Sequence, residues 1–257
     1  MRILIANDDG IDAPGLARLE QVAARLSDDL WTVAPDGKRT AAGASLTLGR
    51  PLTMVRRGER RWSCSGTPAD CVTTAMTWLF EKGLFDDGLF SGGRKPDLVL
   101  SGINDGRNVA EDLAYSGTLG IAREATFWGI PAIGFSRVKN AEETPDDIDW
   151  LAGFVSRIWE QRRDIFLDGH WLSVNLPTRL PAPILQPRIG RDKIGAKAEI
   201  VSSEGDTTTL FLPRGRRHLT GEGDENDLID RGNVCVNRLN WFGQTPLAED
   251  RLEALSA

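Results

Sequence analysis

The sequence predicts an α/β fold on an open, mostly parallel sheet, with a smaller β-hairpin region after residue 180. Three observations carry this reading. Short apolar runs end abruptly in small and polar residues, as buried parallel strands do on reaching a loop. Those runs alternate with segments of helical periodicity. Beyond residue 180 the alternation gives way to turn-rich, hairpin-like segments.

The first strand spans Met1 to Ala6 and stops at Asn7-Asp8-Asp9-Gly10. Pro14 suits the first turn of a helix, and Leu16, Leu19, Val22, Ala23 and Leu26 then recur on one face. Trp31 to Ala34 is a second strand, ending at Pro35-Asp36-Gly37, which makes a βαβ unit. Such units assemble with right-handed crossovers into open sheets that bind ligands beyond the carboxyl ends of their strands. The small, polar and basic stretch from Gly37 to Ala44 is a loop over that end. Residues 46 to 65 read as a hairpin with Gly58 near its turn, and a helix after Gly66-Thr67-Pro68 buries Val72, Met76 and Leu79.

The most strand-like run, Pro96 to Leu100, again ends in small and polar residues, Ser101-Gly102-Ile103-Asn104. A helix runs from Tyr115-Ser116-Gly117-Thr118 to Trp128, closed by Gly129 with Pro131 beyond. Ala132 to Phe135 is another strand. Thr144-Pro145-Asp146-Asp147 starts a helix, with Thr144 as the capping hydroxyl, Pro145 at the first position and acids facing the dipole. Ile148, Leu151, Val155 and Ile158 form its apolar face, and Trp171 to Leu176 completes the core strands. Residues 1–180 therefore form the α/β core and 181–257 a hairpin or arm region. That region either packs on another subunit or covers a sheet edge in a monomer.

Composition narrows the function. A formal net charge of −6 argues against a polyanion-binding surface, so no stable nucleic-acid partner is expected. No window approaches the run of about 20 apolar residues that spans a bilayer, and the strand-like start is unlike an export signal. No membrane partner is expected, and the chain reads as cytoplasmic. Three cysteines, Cys64, Cys71 and Cys235, without a C-x-x-C pair, fit a reducing compartment as buried small hydrophobes. Two histidines, His170 and His218, leave little for His-rich zinc sites or a Ser-His-Asp triad. Hydrolytic chemistry would rest on oxygen ligands, hence on hard cations.

Asp8 and Asp9 are adjacent carboxylates at a strand end, costly to hold together unless a cation neutralises them. Alone they could equally be a solvated turn capping the next helix. Asn104, at another strand end, offers a hard-cation oxygen, although such an Asn is commonly an Asx-turn residue. Ser116-Gly117-Thr118 at a helix start offers hydroxyls and backbone N–H groups to an anion, or serves as an ordinary N-cap. Their coincidence at strand ends or the loops just after them outlines a metal beside a phosphate site.

The chain resembles the SurE family (survival protein E), metal-dependent 5′/3′-nucleotidases. The match rests on ILIANDDGIDAPGL at the start, VAPD at 33–36, SLTL at 45–48, GTPADCV at 66–72 and PDLVLSGIN at 96–104. It continues with YSGT at 115–118, GIPAIGFS at 129–136 and VNLP at 174–177, and so spans roughly the first two-thirds of the chain. The resemblance implies a Rossmann-like three-layer αβα sandwich and a nucleoside monophosphate substrate. It also implies one divalent metal ion per subunit, Mg²⁺ or Mn²⁺, and a homodimer or homotetramer built through the C-terminal region.

By the same resemblance Asp8, Asp9 and Asn104 are metal ligands, with Thr40 standing where the family has a fourth, serine ligand. Threonine keeps the hydroxyl and adds a methyl. The ion would bind a phosphoryl oxygen and acidify a water for in-line attack, with Asp9 orienting or deprotonating that water. Asn108, Ser116, Gly117 and Thr118 would hold the other phosphate oxygens. Lys38 or Arg39 could offset developing charge, or simply be solvated loop charges. Two rivals remain, a phosphoaspartyl phosphatase and a non-catalytic nucleotide-binding module. The first usually spaces its acids as D-x-D, and no G-x-G-x-x-G supports a plain dinucleotide fold.

Overall fold

The computed structural model describes residues 1–81, 93–194, 197–213, 216–218, 220–243 and 248. In chain order the first elements are β1 (Arg2–Ala6), α1 (Pro14–Ala24), β2 (Asp29–Pro35), β3 (Met54–Gly58), β4 (Arg61–Cys64) and α2 (Pro68–Thr74), which runs on into a π-helical turn at Ala75–Leu79. Then come β5 (Leu98–Asp105), α3 (Asp112–Tyr115), α4 (Gly117–Phe127), β6 (Ala132–Arg137), α5 (Asp146–Glu160), α6 (Arg162–Ile165) and β7 (His170–Leu176). The last third holds β8 (Ile184–Leu185), β9 (Asp192–Ile194), β10 (Glu199–Glu204), β11 (Thr207–Phe211), β12 (Arg216–His218), α7 (Glu225–Asp230) and β13 (Val234–Asn240).

One nine-stranded sheet dominates, ordered β3-β4-β2-β1-β5-β6-β7-β13-β8. From β4 through β7 each neighbour is parallel, while β3 and β13 pair antiparallel at either side. All five residues of β1 are buried, and they alternate between two cores. Ile3 and Ile5 face Leu16, Leu19 and Val22 of α1 and Leu151, Phe154 and Val155 of α5. Leu4 and Ala6 face Cys71, Val72 and Met76 below α2 and Ile121, Ala122 and Ala125 of α4. This is the expected three-layer αβα sandwich, each strand presenting alternate side chains to opposite helix layers.

Strand order places the site. From β1 the chain crosses through α1 to β2 on one side, whereas β5 lies on the other side, with Ala6 opposite Ser101. The loops leaving β1 and β5 therefore diverge around a crevice at their carboxyl ends, the usual ligand position in open α/β sheets. Helix α1 is pressed onto β5 there: a Cβ on Gly15 would lie 2.0 Å from the Ile103 carbonyl oxygen, so only glycine fits.

Two local features differ from the sequence expectation. Pairing in the 46–65 hairpin is confined to Met54–Gly58 and Arg61–Cys64, with residues 46 to 53 outside any strand. At the start of α5, Pro145 is already helical and the Thr144 hydroxyl caps no backbone N–H. That hydroxyl instead donates to Asp147 Oδ1 at 3.0 Å, drawn by a carboxylate that is itself paired with Arg137. After residue 180, β13 extends the main sheet by pairing with the edge of β7, burying Val234, Cys235 and Asn237, while the β10–β11 hairpin is exposed along its whole length. The chain end beyond Gly243 lies, apart from residue 248, outside the described residues.

Replacing Gly15 with Ala should cost about 2 kcal/mol or more, because the methyl meets rigid backbone rather than a movable side chain. Chemical denaturation of both proteins checks this, and an unchanged midpoint would mean that α1 does not sit so close to β5.

Candidate active site

Asp8 and Asp9 follow β1 directly. The turn that carries them is pinned by Asn7, whose side chain accepts from Gly10 N at 3.1 Å and donates to Gly10 O at 2.9 Å. The two side chains then diverge. Asp8 points inward and is 7% exposed, accepting a 2.5 Å hydrogen bond from Thr118 Oγ1. Asp9 turns outward into a cleft of about 590 Å³. One of its oxygens meets the Lys38 ammonium, and the other accepts from Asp105 N at 3.4 Å.

Asn104 lines the same cleft as Asp9. Its Nδ2 donates to Gly106 O at 2.8 Å, which leaves the carboxamide oxygen as the end not committed to Gly106. Of the eight residues expected at the site, Asp9 and Asn104 line the cleft, and Asp8 and Thr118 bond to each other beside it. Gly117 is packed so closely on Asp8 that a Cβ there would lie 2.6 Å from the Asp8 Cβ and 2.8 Å from Pro68 Cγ. Helix α4 thus begins against the Asp8 side chain, with glycine required by the contact.

The remaining expected residues have other immediate partners. Ser116 caps α4, its Oγ accepting from Leu119 N at 3.1 Å. Asn108 is buried, donating from Nδ2 to Ser136 Oγ at 2.7 Å, while its backbone exchanges two bonds with Asn175. Thr40 is exposed and follows Arg39, whose N–H donates to the Asp8 carbonyl at 2.7 Å. The basic pair is divided in role. Arg39 spends its guanidinium on Ser65 O, Gly66 O and Asp36, and Lys38 faces Asp9.

Sequence reasoning missed the Thr118–Asp8 bond and the cleft residues Arg18, Asp105 and Arg137. Arg137 is buried and held by Asp147 at 2.6 Å and by the Thr178 carbonyl at 3.0 Å. Arg18 pairs with Glu143. Asp105 was legible as the acid next to Asn104; the two arginines lie in no local motif.

The donor set fits a hard cation. Among the described residues no group of three or more His, Cys, Asp or Glu is placed to hold a metal, so an ion would rest on two carboxylates supplemented by neutral oxygens. Burial pushes the Asp8 carboxyl up to about 6 against the pull of the Thr118 hydroxyl, and the Asp9 charge adds to the rise. A carboxylate pair so short of positive charge, with a lysine ammonium already drawn to it, is the environment a divalent ion relieves.

A model of the family described as Survival protein SurE matches residues 3–196. A protein named 5′-nucleotidase SurE from Paramagnetospirillum magneticum is 46% identical over 250 residues, covering 93% of this chain and 89% of its own. Another of that name, from Methylorubrum extorquens, is 45% identical over 255 residues, covering 98% of this chain and 91% of its own. The crystal structure of the SurE protein from Aquifex aeolicus superposes with a TM-score of 0.74 at 27% identity, over 100% of both chains.

Replacing Thr118 with Val keeps the shape but removes the donor to a buried carboxylate, at an expected cost of about 1–2 kcal/mol. Denaturant melts in chelator check it, and no loss of stability would mean that Asp8 does not depend on Thr118.

Proposed function

The chain belongs to the SurE family, and from that membership and the cleft geometry we propose that it is a divalent-metal-dependent phosphatase of nucleoside 5′-monophosphates, and of 3′-monophosphates as well. The observation that carries this reading is the meeting of Asp9 and Asn104 in one cleft, with the Asp8–Thr118 pair beside it, at the carboxyl ends of β1 and β5.

In this reading Asp8, Asp9 and Asn104 hold one Mg²⁺ or Mn²⁺, with Thr40 as the fourth protein ligand. When bound, such an ion would supply Lewis-acid stabilisation of a phosphoryl oxygen and acidify a water. Asp9, turned into the cleft, orients the attacking water and takes its proton. Asp8 is held in one orientation by the Thr118 hydroxyl, so its geometry is set before substrate arrives. Gly117 and Thr118 cradle the non-reacting oxygens with the first N–H groups of α4, which lack intrahelical partners and carry the positive end of the helix dipole, and Ser116, whose own N–H goes to the Asp112 carbonyl, offers its hydroxyl proton. Thr118 acts there through its backbone N–H, since its hydroxyl proton goes to Asp8. Asn108 joins them with the second amide proton, beyond the one given to Ser136.

We also propose a homodimer or homotetramer assembled through the region after residue 180. The support is the β10–β11 hairpin, where Ile200, Val201, Leu210 and Phe211 are all more than half exposed. Among the described residues no helix is long and apolar enough to cross a membrane, and the cysteines are all free and buried. A cytoplasmic location suits both.

Phosphate release from a panel of nucleoside monophosphates, with Mg²⁺, Mn²⁺ or chelator, tests the proposal. Release should require the metal and fall by at least about 10³-fold in Asp8→Asn and Asp9→Asn, both retaining the native circular dichroism. A metal-independent Asp8→Asn enzyme, or tight nucleotide binding with no release under any metal, would overturn it.

A further inference from the structure

Both oxygens of Asp9 are engaged by donors from the chain itself, the Lys38 ammonium on Oδ1 and Asp105 N on Oδ2. The backbone beside Lys38 is fixed. Arg39 N donates to the Asp8 carbonyl, and the Arg39 guanidinium reaches the Ser65 and Gly66 carbonyls. The Lys38 side chain is different, a flexible four-carbon stem that remains 51% exposed while Asp9 is 12% exposed. Three cations line the cleft, and two are committed elsewhere: Arg137 to Asp147 and Arg18 to Glu143. Lys38 alone among them has as its partner a residue read as a metal ligand.

We infer that Lys38 is the resident counter-cation of the metal site: it neutralises Asp9 while no divalent ion is bound, is displaced when one binds, and then serves the phosphoryl anion in the cleft. This rests on the reading of Asp9 as a ligand. An ammonium in contact with Asp9 Oδ1 competes for that oxygen with any hard cation, and like charges on one carboxylate repel. Binding must therefore break the Lys38–Asp9 pair. Once released, the stem still reaches into the cleft that Asp9 and Asn104 share, where a phosphoryl group brings negative charge. The same residue thus opposes the metal and favours the anion.

Opposite effects on two ligands give the test a signature that a merely structural role would not produce. Calorimetric titration of metal-free protein with Mn²⁺ at low ionic strength should show Lys38→Met binding the ion about tenfold more tightly than wild type. Titration of the Mn²⁺-loaded proteins with inorganic phosphate should show the variant binding about tenfold more weakly. Lys38→Gln should give the same two shifts. The inference is overturned if either constant is unchanged or moves the other way. Asp9→Asn separates the levels. If it abolishes Mn²⁺ binding while Lys38→Met changes neither constant, the role of Lys38 alone is wrong; if it leaves Mn²⁺ binding intact, the metal assignment falls and this inference with it.

Discussion

The burial of one carboxylate, Asp8, directly beside a second, Asp9, that faces a cleft is the constraint around which the carboxyl end of the sheet is organised. Burying Asp8 is unfavourable by itself, since charge leaves water without a full counter-charge. A hydroxyl from α4 donates to Asp8, while a lysine from the loop after β2 and a backbone N–H from the end of β5 meet Asp9. Those three groups come from three separate stretches of chain, so the carboxylate pair ties the surrounding loops into one site.

Topology makes that convergence possible. The chain leaves β1 toward β2, and β5 enters on the opposite side, so the segments leaving β1 and β5 diverge at their carboxyl ends. Close packing then sets the walls: Gly15 lets α1 touch β5, and Gly117 lets the start of α4 touch Asp8. In both places a single methyl group would collide with an atom that cannot easily move. The open position, the charge deficit and the helix terminus are thus consequences of one strand order, and an anionic substrate with a divalent ion answers all three.

Much of this was legible in the sequence because it is written in local signals. The buried runs of β1, β2, β5, β6 and β7, the amphipathic faces of α1 and α5, and the positions of Asp8 and Asp9 after one strand, Asn104 near the end of another and Ser116-Gly117-Thr118 at a helix start each show in windows of a few residues. What did not show depends on distant partners. Thr118 reads as a phosphate-gripping hydroxyl until the fold brings Asp8 to it, and Lys38 reads as a solvated charge until the loop folds over Asp9. Thr144 reads as a cap until Asp147, held by Arg137, draws its hydroxyl away. The antiparallel addition of β13 to β7 carries no local mark either, since nothing within Val234–Asn240 names its partner strand.

The most direct measurement is an anomalous-difference map from crystals equilibrated with Mn²⁺. One strong peak per subunit is expected, in contact with side-chain oxygens of Asp8, Asp9 and Asn104, with the Lys38 ammonium moved off Asp9. A map with no peak between those residues, while the protein releases phosphate from nucleotides in the same buffer, would contradict it.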